Sequence, residues 1–528
     1  MKLFSYLLST SSTVGDNTST MILGLIIIAI IALVWASSSQ NTSSGINYPP
    51  YAPGRFPLVG HLPQFARGIP LQELFRQWSL RMGPVFTIQL GVKRWIILNS
   101  LDSVKQLIVD KGTIYSSRNL PDTLVNDLMD GVEKGGGFAF YPYGKEWRYL
   151  RRIAHTNLIK KKIDLYQPII DERRTTLLQN ILDASQRNNN ILSPTMYIEH
   201  FTMTSILAIA FGSMAYFKPG DPQLHEAFAL TERTAALLGP SEQIREFFPI
   251  LQKILPSSRA EFVDVRKKMV GFYGGLLERF KKEKVTDNCF VSEILANGSL
   301  TDLQIVSFAS LFIGAGSETT ASTLEWMIAL LANNPDIQTK VYEEIKNNVG
   351  LSRLPSHDDE LNLPYLQCVI LETLRLRPPA PLSVPHATSE DDIFQNWFIP
   401  AQTTVIINLH AIHQDPVQYP EPEKFIPERH MNYVRQRQDK FTQTTEDRPH
   451  LAFSTGRRVC VGIHLAERSL FMAASGILSC FQIDRLDKDI LIDVINPRKA
   501  QAPTFAPRSY NIHITPRHDN VSNLINIK

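Results

Sequence analysis

The chain has 528 residues with an ordinary apolar share, and its 54 basic and 51 acidic side chains leave a formal net charge of +3. A length-based estimate allows about three domains. The balanced charge, with no basic face or binding motif, excludes nucleic acid as an expected partner. The four cysteines are widely spaced, which excludes a disulfide scaffold and argues against iron–sulfur and structural zinc sites. They are Cys289, Cys368, Cys460 and Cys480.

An apolar run near the N-terminus covers residues 21–36, after a short segment of residues 1–20. A helix over its first fifteen residues spans roughly 23 Å, somewhat short of a hydrocarbon core of about 30 Å. Flanking serines and a thin endoplasmic reticulum membrane narrow the difference. We predict a single membrane anchor here, and a secretory signal peptide or a buried core helix are the alternatives. The flanking charges are too few to set its orientation.

Residues 37–60 end in a proline-rich stretch that cannot be helical, either a plain linker or a stiff hinge. Residues 71–81 then predict a helix, and residues 85–90 and 93–98 predict two strands of a hairpin. Farther on, Trp147 and Arg151 lie four residues apart on a predicted basic helix, so both side chains can reach one partner. A solvated amphipathic helix is the alternative. Residues 164–284 predict mostly helices, with a break at residues 188–190.

The most unusual segment covers residues 303–332. Thr301 and Gln304 form a capping box before it, and Glu318 and Glu325 are its only charged residues. A helix that is apolar all round and about 45 Å long must cross the interior of the molecule. Polar residues in its middle contradict a second membrane span and need water or a ligand beside them.

Two short motifs follow this helix. Glu372 and Arg375 lie three residues apart on a predicted helix whose leucines indicate burial, although an exposed ion pair is the usual explanation for such spacing. Arg429 ends a Pro-Glu-Arg segment at residues 427–429. Between the two motifs, His386 follows Pro385.

The last motif is Phe453-x-x-Gly456-x-Arg458-x-Cys460-x-Gly462, directly before a predicted helix. We expect the helix N-terminus and the neighbouring arginines to stabilise the Cys460 thiolate. The two glycines let the backbone approach a large flat group without a Cβ in the way. A lone cysteine is usually a buried core residue, but this spacing favours a thiolate ligand to a planar metallocofactor.

The five motifs in this order resemble those of the cytochrome P450 superfamily, over roughly residues 49–514, and the chain is most similar to microsomal members from filamentous fungi. The resemblance implies one large, mainly α domain with a minor β region (residues 61–528), in which a long central helix crosses over haem b. It implies an axial thiolate at Cys460 and a structural network of Glu372, Arg375 and Arg429. The remaining cofactor-binding residues that it implies are Phe453, Gly456, Arg458 and Gly462 in the cysteine loop, Ala315 and Gly316 on the central helix, the propionate donors Trp147 and Arg151, and His386, which stands where many members have arginine.

The resemblance also implies the reaction. The chain is expected to be a haem-thiolate monooxygenase that inserts one oxygen atom of O₂ into a lipophilic substrate, with Glu318 and Thr319 relaying protons to the bound dioxygen. Electrons would come from an NADPH-dependent reductase, because the chain has no Rossmann or flavin fingerprint. It would be anchored in the endoplasmic reticulum membrane with its catalytic domain facing the cytosol.

Three alternatives differ in chemistry. A haem-thiolate isomerase or dehydratase would act on a peroxide without a reductase, although the Glu318-Thr319 pair counts against it. A non-catalytic haem or lipid carrier would not turn over, and a cysteine hydrolase lacks a base beside Cys460. The family's pocket regions are residues 118–134, 201–248, 308–319, 379–384 and 502–507. Their apolar character here favours a steroid, sterol, terpenoid or polyketide-like substrate, with steroid hydroxylation as the first hypothesis.

Overall fold

The computed structural model describes residues 47–121, 123–129, 137–217, 221–237, 244–249, 259–284, 287–298, 300–439, 448–499 and 504–526. The predicted anchor at residues 21–36 lies outside these ranges. So do the segment before it and the first part of the proline-rich stretch.

The described chain is mainly helical. Its α-helices are α1 (Leu62–Phe65), α2 (Leu71–Met82), α3 (Leu101–Val104), α4 (Gly112–Tyr115), α5 (Lys145–Asn157), α6 (Lys160–Arg187), α7 (Thr195–Phe211), α8 (Pro222–Leu237), α9 (Ile244–Phe247), α10 (Arg259–Lys282), α11 (Phe290–Asn297), α12 (Asp302–Asn333), α13 (Pro335–Asn348), α14 (Pro364–Leu376), α15 (Leu409–His413), α16 (Met431–Asp439), α17 (Ile463–Cys480) and α18 (Val521–Asn526). The predicted helix at residues 71–81 and the helical region with a break after residue 187 are confirmed.

The strands form a minor part of the fold. They are β1 (Val85–Leu90), β2 (Lys93–Leu98), β3 (Ile191–Leu192), β4 (His386–Ala387), β5 (Asp392–Phe394), β6 (Trp397–Ile399), β7 (Thr404–Ile407), β8 (Phe481–Arg485) and β9 (Ile512–Pro516). One sheet has the order β1-β2-β7-β4, a second β3-β9-β8, and β5 pairs with β6. The antiparallel register of β1 and β2 pairs Leu90 with Lys93, which confirms the predicted hairpin.

The proline-rich stretch runs without helix where it is described, ends in a turn at residues 57–59, and packs on the first sheet. Tyr51 forms a parallel bridge with Thr87 of β1. The Ala52 N–H donates to the Thr87 carbonyl at 2.9 Å, and Ala52 is buried. Residues from about 51 therefore belong to the folded domain, which the sequence analysis began at residue 61.

Helix α12 lies at the centre of the molecule, as predicted from its apolar sequence. The Thr301 hydroxyl accepts from the Gln304 N–H, and the Gln304 side chain accepts from the Thr301 N–H, so the capping box is present. The helix packs against α7, α10, α14 and α17, and its second half is buried almost without interruption. Packing on several sides explains why its sequence lacks a polar face.

A second apolar helix also lies in the core. Residues 195–215 are long and apolar enough to cross a membrane, but 78% of the most apolar window is buried inside the protein. Helix α7 within this segment packs most closely on α12 and α6. Burial among other helices is typical of a core helix of a soluble domain.

Candidate active site

The cysteine loop is held by its own backbone. The Cys460 N–H donates to the Phe453 carbonyl at 2.9 Å, which closes the loop before α17 begins at Ile463. Gly456 has a φ of +64°, and a Cβ there would lie 2.8 Å from the Ile108 carbonyl oxygen. This glycine therefore allows the loop to pack on the π-helical segment Lys105–Asp110, and it does not touch the cavity described below. Gly462, by contrast, lines that cavity.

The Cys460 side chain is exposed to a cavity. The pKa of its thiol is nevertheless raised, because desolvation by the surrounding fold outweighs the Gly462 N–H and the charges of Arg151 and Arg448, which lower it. The helix terminus and the arginines act on the sulfur in the expected direction, because the Gly462 N–H, Arg151 and Arg448 all lower this pKa.

The cavity has a volume of about 320 Å³ and brings together residues that lie far apart in the sequence. The predicted site residues that line it are Trp147, Arg151, Ala315, Gly316, Thr319, Phe453, Arg458, Cys460 and Gly462. Gly456, Glu318 and His386 do not line it. Four of the five predicted pocket regions contribute to its wall. The exception is the turn at residues 502–507. Its described part, residues 504–507, does not line the cavity.

Three arginines lie on the cavity wall without a carboxylate partner among the described residues. Arg458 donates to the Ser116 carbonyl at 2.8 Å and the Tyr141 carbonyl at 2.6 Å. Its guanidinium stacks 4.3 Å from the Trp147 ring centre, and Arg151 donates to the Val459 carbonyl. Backbone carbonyls orient these groups but neutralise no charge, so the wall carries uncompensated positive charge.

The third cation is Arg118, which the sequence analysis did not assign to a propionate. It is buried, and its Nη1 donates to the Val384 carbonyl at 2.7 Å and to the Pro385 carbonyl. Burial lowers its pKa to about 9, and burial together with Arg118 and Arg151 lowers the pKa of Arg458 to about 8. Mutual repulsion of this kind makes a site for an anion with more than one negative charge.

His386 is placed differently from its prediction. It is buried in β4, and its Nδ1 lies 2.8 Å from the Tyr115 carbonyl, so Nδ1 carries the proton. Burial and the charges of Arg118 and Arg458 hold its pKa well below the usual value. A neutral imidazole with this tautomer offers only an acceptor at Nε2. Arg118 is therefore the better donor to an anion at this point of the wall.

These residues fit haem b. An accessible sulfur and a cluster of cations with only neutral partners line one cavity, and a flat cofactor with an iron centre and two carboxylates requires both. Among the described residues, no group of three or more His, Cys, Asp or Glu side chains forms an alternative metal site.

Helix α12 supplies another wall of the cavity, through its Ala315, Gly316 and Thr319. The Thr319 hydroxyl donates to the Ala315 carbonyl at 2.7 Å, the local back-bond that polar helix residues commonly make. A Cβ at Gly316 would come within 2.7 Å of the Ile206 side chain, so this glycine allows α7 to approach closely. Thr320 also lines the cavity, and its hydroxyl has no partner in the described part of the chain.

Comparisons with known proteins identify the family of the chain. The sequence model of the family "Cytochrome P450" matches residues 49–501. The chain belongs to the cytochrome P450 family. It is 28% identical to Cytochrome P450 monooxygenase 231 of Postia placenta, over 96% of this chain and 95% of that protein. It is 30% identical to Cytochrome P450 monooxygenase fogE of Aspergillus ruber, over 87% and 85%. It is 28% identical to the Steroid 17-alpha-hydroxylase/17,20 lyase of Mesocricetus auratus, over 88% and 92%.

The family membership confirms the predicted fold class, the haem b cofactor and the enzyme class. This cytochrome P450 is a monooxygenase, which is a class of oxidoreductase. Members of the family typically receive their electrons from a reductase. The roles of single residues remain predictions and are taken up below.

Glu318 of this cytochrome P450 lies beside the cavity wall and is not part of it. Its Oε2 accepts from the Thr504 hydroxyl at 3.1 Å. Burial, together with Glu199 and Glu232, raises its pKa to about 7, against the smaller effects of Thr504 and Lys499. Around neutral pH the group can therefore give up and take back a proton.

The predicted buried network is present. Both Glu372 oxygens accept from Arg375 at 2.8 Å, and Oε1 also accepts from Arg429 Nε and the Ile426 N–H at 3.0 Å. The sequence analysis missed His430, whose Nε2 lies 2.7 Å from Oε2. Burial alone would raise the pKa of Glu372, but the bonds from Arg375 and His430 outweigh it and lower the pKa to about 2.

A basic surface surrounds the cysteine loop. Arg148 on α5 and Arg457 in the loop are exposed, and their guanidinium carbons lie 5.5 and 5.2 Å from the centre of the Tyr143 ring. Lys145 and Arg152 are exposed on the same face of α5. Tyr143 thus joins the helix and the loop into one patch of positive charge.

Proposed function

We propose that this chain is a membrane-anchored monooxygenase of the endoplasmic reticulum that hydroxylates a neutral lipophilic molecule with electrons from an NADPH-dependent reductase. One observation supports the site assignment most directly: the exposed Cys460 thiol lines a single cavity with three arginines that have no carboxylate partner in the described part of the chain. To hold haem, the chain must supply a sulfur ligand for the iron and positive charge for the two propionates.

The residues that would hold the cofactor follow from this geometry. Cys460 would bind the iron, and Arg118, Arg151 and Arg458 would hold the propionates, with the Trp147 ring packed beside the last two. Bound haem supplies the activation of dioxygen, and a thiolate ligand favours O–O cleavage. Phe453 and Gly462 of the cysteine loop, and Ala315 and Gly316 of α12, would form the surfaces on either side.

The chain's own contribution to oxygen chemistry is a proton at the distal side. Glu318 lies outside the cavity among charged groups, and Thr319, the next residue, lies on the cavity wall. We infer that Glu318 takes protons from the solvent side and that the Thr319 hydroxyl, released from the Ala315 carbonyl, holds a water at the dioxygen site. A raised pKa near 7 suits this exchange.

The substrate would be uncharged. The three arginines are the only charged residues on the described wall, and the haem propionates would occupy them. Steroids, sterols, terpenoids and polyketide-like molecules all satisfy this condition. The relative named as a steroid 17-alpha-hydroxylase/17,20 lyase supports steroid hydroxylation as the first hypothesis. A haem-thiolate isomerase remains the second candidate, and turnover that requires NADPH and reductase separates the two.

Substitution of the thiol tests the site. In Cys460→Ser, the strongly red-shifted Soret band of the reduced carbon monoxide complex should be lost, because a neutral hydroxyl does not replace a thiolate. Cys289→Ser is the matched control, since this buried cysteine caps α11 and serine also caps helices. A Cys460→Ser protein that keeps the band, or a control that loses it, would contradict the assignment.

A further inference from the structure

Four phenylalanine rings from three separate parts of the chain form a stack on the cavity wall. Phe138 lies 4.9 Å from Phe308 between ring centres, Phe308 lies 5.8 Å from Phe290, and Phe290 lies 4.5 Å from Phe312. The angles between successive ring planes are 21°, 18° and 10°. All four residues line the cavity. The order along the stack is therefore Phe138, Phe308, Phe290, Phe312.

The stack presents an aromatic surface to a ligand. Phe308 and Phe290 each pack nearly parallel to two other rings of the stack, and both residues line the cavity. The edge of an aromatic ring carries partial positive charge and its face partial negative charge. An aromatic wall therefore attracts another π system, in an offset-stacked or an edge-to-face arrangement. A saturated ring of the same size gains area burial at this wall but not that electrostatic contribution.

The helix spacing and burial make this wall rigid. Phe308 and Phe312 lie one turn apart on α12, and Phe290 is the first residue of α11. Phe290 and Phe308 are buried, whereas Phe138 and Phe312 at the two ends of the stack are half-buried. Rings held in place by nearly parallel neighbours need little reorganisation when a ligand binds.

We propose that the substrate of this monooxygenase contains a flat aromatic or conjugated ring system, which packs against the rings of Phe308 and Phe290. This inference rests on the proposed function, because it names the substrate class of the same cavity. It narrows the steroid, terpenoid and polyketide-like candidates to those with an unsaturated planar part. Fully saturated skeletons are disfavoured.

The test compares two probes that share one carbon skeleton and one hydroxyl, 2-naphthol and decahydro-2-naphthol, by isothermal titration calorimetry on the haem-loaded protein. Each aromatic contact is expected to favour the aromatic probe by about 2- to 12-fold in Kd. In Phe308→Leu and in Phe312→Leu, the ratio of the two Kd values should fall toward the ratio expected from transfer of the two probes out of water alone. Phe201→Leu is the matched control, because Phe201 lines the cavity on α7 and is not one of the four stacked rings.

Each result decides the question. The proposal is overturned if the wild type shows no preference for 2-naphthol, or if Phe201→Leu lowers the ratio as much as Phe308→Leu. It is also overturned if both stack variants keep the wild-type ratio. If Phe308 has only a structural role, Phe308→Leu would lower haem loading and weaken the binding of both probes equally. The comparison would then rest on Phe312→Leu, at the end of the stack. Failure of the proposed function would give a different result from failure of this inference: the wild-type protein itself would lack the red-shifted Soret band of the reduced carbon monoxide complex.

Discussion

Removal of the Glu372 carboxylate should destabilise the fold more than removal of an exposed carboxylate with the same spacing. Arg375 and Glu372 both have side chains that are 0% exposed, and Arg429 is 11% exposed. Without Glu372, the Arg375 guanidinium keeps the carbonyls of His413 and Lys424 and the ring of Tyr419 as neutral partners, and it has no other carboxylate among the described residues. A buried charge that loses its partner typically costs about 3–5 kcal/mol.

The pKa of Glu372 gives an independent magnitude. A shift from 4.5 in the unfolded chain to about 2 in the fold is about 2.5 units, or about 3 kcal/mol at 1.36 kcal/mol per unit. The folded pKa is lowered, so this stabilisation is present above pH 4.5 and is lost as the pH falls from about 4.5 to about 2. The two routes agree on a loss of about 3 kcal/mol at neutral pH.

The assay is urea unfolding at pH 7, followed by far-ultraviolet circular dichroism, with haem content measured on the same samples. Glu372→Ala and Glu372→Gln should lower the free energy of unfolding by about 3 kcal/mol or more, and little haem-loaded Glu372→Ala should be recovered. The matched control is Glu343→Ala, which breaks the exposed pair with Lys346 at the same spacing and should cost less than about 1 kcal/mol. Equal losses in Glu372→Gln and Glu343→Ala would refute the reasoning.

Three further predictions concern catalysis and pH. Thr319→Ala should keep haem binding but lower the ratio of product to NADPH consumed by about 10²- to 10⁴-fold, with hydrogen peroxide formed instead, and an unchanged ratio would remove Thr319 from the mechanism. Arg148→Glu should slow turnover supported by reductase and spare turnover driven by added peroxide, whereas equal losses would indicate damaged folding. The folded pKa of Glu318 is raised to about 7, so its carboxyl costs stability as the pH rises from about 4.5 to about 7. Glu318→Gln should therefore gain up to about 3 kcal/mol over wild type across that window in thermal unfolding scans, and parallel curves would contradict the burial of this group.

Local patterns in the sequence were sufficient for the elements nearest the site. Two short runs around the Gly91-Val92 turn placed both strands of the first hairpin at their observed limits. The capping box of Thr301 and Gln304 placed the start of α12 within one residue. Both signals depend on residues within a few positions of one another, so no tertiary information was needed.

Contacts between distant segments were beyond local patterns. His430 reaches Glu372 from 58 positions away, and Arg118 reaches the backbone at Val384 across 266 positions. Neither residue stands in a motif that marks its partner. The net pKa of Cys460 also depends on its burial by the surrounding fold. That burial cannot be inferred from the residues beside Cys460 in the sequence.

Two buried arginine sites in this fold differ in a way that separates a structural role from a ligand-binding one. Arg375 faces Glu372, a carboxylate of the same chain, so its charge is neutralised within the protein. Arg118 and Arg458 have no carboxylate partner among the described residues; carbonyls, and the Trp147 ring beside Arg458, fix direction without cancelling charge, and the two pKa values fall to about 9 and about 8. Burial of unpaired cations costs free energy that the fold does not recover from its own residues. A bound dianion does recover it, so stability of this region and occupancy of the cavity are thermodynamically linked.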